Sequence, residues 1–175
     1  GSHVAIGAYN NDGGGSNSGH VRVYQYSGGS WSKLGGDIDG EAGSDRSGFS
    51  VSIDSDGSHV AIGAYTNDGG GSNSGHVRIY EYSSGSWAQV GSDIDGEAAS
   101  DNSGGSVSID SDGSHVAIGA YNNDGNGSNA GHVRVYEFED PAINSVSLAA
   151  DNSTIEVTFN KPVYNTNAGS GALEV

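Results

Sequence analysis

The string Gly-Ser-His-Val-Ala-Ile-Gly-Ala-Tyr begins at Gly1, again at Gly57 and again at Gly113, so the chain advances in steps of 56 residues. Most positions of the first step return unchanged in the second, and the changes include mild ones such as Val23 to Ile79, Gln25 to Glu81 and Leu34 to Val90. A repeat on this scale cannot bury its apolar face alone and must stack on a neighbour, which restricts the chain to a solenoid, a propeller or a related array. The 31 glycines and the 33% hydrophobic content decide among the secondary structures. They favour short strands joined by tight turns over helices.

One complete unit can be followed from Phe49. The β-branched run Ser50 to Asp54 precedes the turn Ser55-Asp56-Gly57-Ser58, and Asp-Gly is suited to a tight hairpin. His59 to Tyr65 forms the second strand, and Asn67 to Ser74 a glycine-rich loop. The third strand runs from His76 to Tyr82, where Val77 and Ile79 alternate with Arg78 and Tyr80. After Ser83-Ser84-Gly85, the fourth strand spans Ser86 to Gly91, and Asp93 to Gly105 leads into the next unit. The expected fold is therefore an all-β propeller fragment of four-stranded antiparallel blades. Residues 1–36 supply strands two to four of one blade, 49–91 a whole blade and 105–138 strands one to three of another. Closed propellers have about four to eight blades, so the open blade faces are expected to permit self-association.

The repeat stops at Asp140. Ile143 to Leu148 and Thr154 to Phe159 alternate around an Asp151-Asn152-Ser153 turn and predict the opening hairpin of a β-sandwich, giving domains at 1–138 and 139–175. With no methionine and a start inside a repeat, the sequence reads as a piece of a longer protein.

A net charge of −16 with only six Lys and Arg residues excludes nucleic acid as a partner, because phosphate recognition needs a basic footprint. No apolar run approaches the roughly 20 residues of a membrane-spanning helix, so membrane insertion is not expected. Cysteine is absent, and there is no nucleophile elbow or phosphate loop. Acid pairs that recur in each unit are unlike the single constellation of an active site, and the chain is expected to be non-enzymatic.

The segment Ser47-Gly48-Phe49-Ser50-Val51-Ser52-Ile53-Asp54-Ser55-Asp56-Gly57, followed by Val60-Ala61-Ile62-Gly63-Ala64-Tyr65, resembles the FG-GAP repeat of integrin α-subunit propellers and their bacterial and algal relatives. The resemblance covers residues 1 to 138. In that family a Phe-Gly pair opens the first strand, Gly-Ala-Pro closes the second, and an Asp-rich hairpin between them binds calcium. Here Ser47 and Ser103 stand in place of the Phe, Tyr65 and Tyr121 replace the Pro, and the hairpin is a residue short. Residues 141–175 resemble the start of a bacterial immunoglobulin-like module.

Calcium takes six to eight oxygen ligands, and three acidic segments per unit are candidates. The resemblance implies Asp54 and Asp56, with Asp110 and Asp112, as hairpin ligands. His59 and His115 stand where the closing carboxylate would be, and imidazole suits calcium poorly. The second set is Asp37, Asp39, Glu41 and Asp45, repeated as Asp93, Asp95, Glu97 and Asp101, with Ile38 and Ile94 expected to plug into the core. The third is the Asn- and Gly-rich loop around Asp12, Asp68 and Asp124. Each has an ordinary turn or solvated loop as its alternative. Tyr24, Tyr80 and Tyr136, with Arg22, Arg78 and Arg134, are expected to pack between blades, with a sugar-binding surface as the alternative. Histidines at equivalent positions lie a whole blade apart, so zinc ligation is not expected. These readings point to an extracellular or cell-surface module for adhesion or display, with calcium as its cofactor and an unidentified protein or glycan as ligand. A lectin-like glycan binder and a self-assembling structural subunit are the alternatives.

Overall fold

The computed structural model describes residues 1–138, 143–148 and 154–159. The chain divides into two compact units, Gly1–Phe138 and Glu139–Val175. Among the described residues there is no helix, and the expected four-stranded antiparallel sheets are present.

In the first unit, strands β1 (His3–Ala8), β2 (His20–Ser27) and β3 (Ser30–Lys33) form one sheet, and the short β4 (Ile38–Asp39) pairs with β2 beyond the end of β3. Strands β5 (Ser50–Ile53), β6 (His59–Ala64), β7 (His76–Ser83) and β8 (Ser86–Asp95) make the complete sheet in sequential order. A third sheet contains β9 (Ser103–Ile109), β10 (His115–Ala120) and β11 (His132–Glu137). The fourth strand of the full blade is longer than its sequence suggests. It continues to Asp95, with a register shift opposite Val77 and Ile79, and brings Ile94 against Val77 and Asp95 against His76. The Asp93-Ile94-Asp95 segment is therefore strand rather than connecting loop, because Ile94 reaches the apolar core.

Each blade has two apolar faces, and both inter-blade cores obey one rule. Successive side chains of a strand point to opposite faces. In β6 and β7, Val60, Ile62 and Tyr80 face the preceding blade, while Ala61, Val77 and Ile79 face the following one. The first core joins Val21, Val23 and Ile38 to Val60 and Ile62. The second joins Ala61, Val77 and Ile79 to Ile109, Val116 and Ile118. Glycine lets the backbones approach. A Cβ on Gly63 would lie 2.2 Å from the Gly104 carbonyl oxygen, and one on Gly75, whose φ is +73°, would lie 2.1 Å from that of Ser103.

In the second unit, β12 (Ile143–Leu148) and β13 (Ile155–Phe159) pair antiparallel. The expected Asp151-Asn152-Ser153 turn lies outside the described residues.

Candidate functional site

The polar groups singled out by sequence fall in three places: the hairpin between β5 and β6, the glycine-rich loop after β6, and the seam where one blade passes into the next. In the hairpin, Asp54 is buried and its carboxylate is surrounded by donors. Oδ1 accepts from the Gly57 amide at 2.8 Å, and Oδ2 accepts from the Ser58 hydroxyl at 2.8 Å and the His59 amide at 3.0 Å. His59 Nδ1 lies 3.1 Å from the same Oδ2. Asp56 accepts from the Ser58 amide, and hydrogen bonding to Ser58 lowers its pKa. The next copy repeats the arrangement. Asp110 accepts from Ser114 and His115, Asp112 from Ser114, and the His115 amide holds Asp110 well below the usual carboxylate range.

The glycine-rich loops close on themselves. Asp12, Asp68 and Asp124 accept amide hydrogens from Asn17, Asn73 and Asn129, each of which has positive φ. Asn can adopt this left-handed conformation more readily than most residues. The acids therefore stabilise turns that glycine and asparagine make accessible.

The seam brings together residues distant in sequence. Arg22 donates two hydrogen bonds to Asp37, at 2.9 and 2.7 Å, and Lys33 adds a third at 2.7 Å. Arg78 holds Asp93 in the same fork at 2.8 and 2.7 Å, with Gln89 in place of the lysine. Planar guanidinium matches carboxylate geometry, so these bidentate contacts are directional as well as electrostatic. Hydrogen bonds from Arg22 and from Arg78 are the main causes that lower the Asp37 and Asp93 pKa values. Arg78 also reaches back to Glu41 at 2.5 Å, and Arg134 contacts Glu97. A deeper tie lies beside them. Buried Asp45 accepts from the Ala42 amide at 3.1 Å and the Asn67 side-chain amide at 2.9 Å, and Asp101 repeats this with Ala98 and Asn123. Asp39 and Asp95 remain exposed.

Two histidines sit close to these acids. His20 Nδ1 is 3.9 Å from Asp37 and from Asp39. His76 is buried, and its Nδ1 has no hydrogen-bond partner among the described residues, with Asp93 at 3.5 Å. Burial is the main cause that lowers its pKa, aided by the nearby Arg78 charge. The groups His20, Asp37, Asp39 and Glu41, His76, Asp93 are compact enough to be considered for a metal. Their donor sets do not fit calcium. Calcium needs six to eight oxygens, whereas Asp37 and Asp93 are occupied by guanidinium and Asp54 by hairpin donors.

The Arg-to-Asp offset of 15 residues occurs twice and was the available sequence signal for the fork. The Asp45–Asn67 tie, spanning 22 residues, has no comparable local signature. As expected, Tyr80 packs in an inter-blade core, and Ile38 is buried. Sequence reasoning missed a separate aromatic cluster, in which Phe49 lies 5.5 Å from Tyr9 and 4.3 Å from Tyr65, with Arg46 over the Tyr65 ring.

No curated protein matches the chain. A family model described as FG-GAP repeat matches residues 37–80 and 93–136. The first matched span starts just before β4 and the second within β8, and each ends in the third strand of the next blade, so Glu41–Arg78 and Asp45–Asn67 lie within one family unit. The two spans cover half of the chain and coincide with the repeated sheets, so this β-propeller repeat module belongs to the FG-GAP repeat family.

Proposed function

We propose that the chain is a non-enzymatic module of an extracellular or cell-surface protein, holding its rim loops at fixed spacing for adhesion or display. The observation that carries this reading is the repetition of each polar constellation. Arg22–Asp37 returns as Arg78–Asp93, and Asp45–Asn67 as Asp101–Asn123. An active site assembles one set of nucleophile, base and charge stabiliser, whereas a set recurring with each blade serves the blade. FG-GAP repeats are typically extracellular, and the alternating β12–β13 hairpin suits an adjoining immunoglobulin-like module. Beads coated with the chain are expected to adhere to selected extracellular-matrix proteins or glycans. Binding no greater than that of albumin-coated beads across the panel would refute the adhesive role.

A glycan ligand is the second reading, favoured by the exposed rings of Tyr9, Phe49 and Tyr121. A glycan array tests it, with loss of signal expected on Phe49→Ala. In either reading, the arginines take the place that calcium holds in the sequence-based expectation. Calcium would have to displace Arg22 and Lys33 from Asp37, or Arg78 from Asp93. Calorimetry is expected to give no binding heat and chelator no change in melting temperature; binding heat accompanied by a raised melting temperature would refute this substitution.

A further inference from the structure

His76 and Arg78 are two residues apart on β7 and point to one face, the face that carries Tyr80 toward the preceding blade. Arg78 meets Glu41 and Asp93 there, and His76 lies beside the same two acids. One atom able to bind a metal from each of Glu41, His76 and Asp93 falls within 4.8 Å of the other two. Only 4% of the His76 side chain is exposed, yet its Nδ1 has no hydrogen-bond partner among the described residues. Buried polar atoms are rarely left in this state, so the orphan calls for a ligand. Its separation from Asp93 Oδ2 is 3.5 Å. At His59 and His115 the same nitrogen sits at hydrogen-bond distance from its acid, 3.1 and 3.0 Å. Two ligands of a tetrahedral zinc, each about 2.0–2.1 Å from the ion, stand about 3.3–3.4 Å apart. The His76–Asp93 gap is therefore wide for a hydrogen bond and close to the span of two ligands on one ion.

We infer that Glu41, His76 and Asp93 bind a divalent transition-metal ion of the zinc type, with water in the fourth position. The donor set selects this class. Imidazole suits zinc and its neighbours, and four ligands suffice for them, whereas calcium needs six to eight oxygens. Burial also keeps the His76 ring neutral, the form that binds metal. Arg78 does not preclude the ion. Its fork takes one site on each Asp93 oxygen, and a carboxylate offers about four. Oδ2 can therefore accept from Arg78 and bind the ion, and outer hydrogen bonds of this kind orient metal-bound carboxylates. Glu41 is exposed and is reached by Arg78 through Oε2, so rotation of its carboxylate offers the ion an oxygen. The earlier copy is less suited. His20 Nδ1 is 3.9 Å from both Asp37 and Asp39, and Lys33 adds a second cation on Asp37, where neutral Gln89 stands on Asp93. One ion per chain is expected, tying the segment after β4 to β7 and β8 of the next blade.

Calorimetric titration with zinc chloride tests the site on the metal-free chain, on which calcium and chelator are expected to have no effect. One zinc ion should bind and raise the melting temperature. His76→Gln should abolish the binding, and Glu41→Gln should weaken it by roughly tenfold or more, a loss that even an outer partner of a metal ligand can cause. His3→Gln and His59→Gln, which alter histidines elsewhere, should leave it unchanged. Circular dichroism checks the fold of each variant. In the wild-type chain zinc should also move the His76 ring resonances in step with calorimetric saturation, which keeps the test decisive if His76→Gln does not fold. Absence of zinc binding, binding that survives in folded His76→Gln or is unaltered by Glu41→Gln, equal loss in His3→Gln or His59→Gln, or His76 resonances that do not move would overturn the proposal.

Discussion

Ile62 and Ile6 are the same residue at the same position of successive repeats, opposite Arg78 and Arg22 respectively. Their main difference is the blade stacked above them. Ile62 packs with Val21 and Val23, while Ile6 borders an open groove. Truncation to alanine removes three carbons, which at about 0.8 kcal/mol per methylene is ~2.4 kcal/mol of transfer free energy when the side chain is buried. A residual cavity adds to this, so Ile62→Ala should cost about 3–4 kcal/mol. Ile6 is half exposed and leaves no enclosed cavity, so Ile6→Ala should cost ~1 kcal/mol. Urea unfolding of both variants, followed by circular dichroism at low protein concentration, measures the difference. An unchanged m-value is required, since repeat arrays can lose two-state cooperativity. Equal costs would refute the placement of the stabilising core between blades.

Gly75→Ala would force an L residue to a φ of +73° and place its Cβ against the Ser103 carbonyl; the combined strain and crowding should cost about 2–5 kcal/mol in urea unfolding. Asp45→Ala leaves the Ala42 amide and the buried Asn67 amide without their acceptor, and should cost about 1–3 kcal/mol, whereas the exposed Asp95→Ala should stay within about 0.5 kcal/mol. For His76, the folded-state pKa is lowered by burial, so the unfolded state takes up the proton first. Its contribution is complete above the ordinary histidine pKa of ~6.5 and is lost as pH falls from there through the folded value. Melting temperature should decline over that acidic window, with a smaller decline in His76→Gln. Added sodium chloride should raise the melting temperature, because relief of repulsion within a chain of charge −16 outweighs weakening of its exposed ion pairs. A fall would reverse that order.

The blade plan was legible because two local signals agree: the 56-residue step and the period-two alternation of Val60-Ala61-Ile62 and Val77-Arg78-Ile79. Turn chemistry identified the β5–β6 hairpin, since the Asp56-Gly57 pair specifies backbone geometry directly. The extension of β8 was less legible. Gly91 and Ser92 resemble a stop, yet Ile94 pairs beside Val77 and a register shift absorbs the irregularity. The acidic residues were easy to find but their partners were not. Asp37 next to Ile38 and Asp39 looks like a ligand cluster in one dimension. Pairing of β4 or the end of β8 with the previous strand places Arg22 or Arg78 on the acid instead.

The same geometry gives a physical reason for the distribution of scarce positive charge. Among the described residues, Arg22, Lys33, Arg78 and Arg134 all contact seam acids, while Arg46 lies over Tyr65. A blade repeated with so many acids needs a counter-charge at the seam, where carboxylates from adjoining segments converge and water is partly excluded. Arginine supplies it from within the strand, at a position set by the pleat, and its fork fixes direction as a spherical ion does not. The neighbouring Asp45–Asn67 tie holds the chain crossing without another cation. Blade spacing is thereby encoded in side chains that repeat with the fold, and the exposed loops can vary without dismantling the seam that carries them.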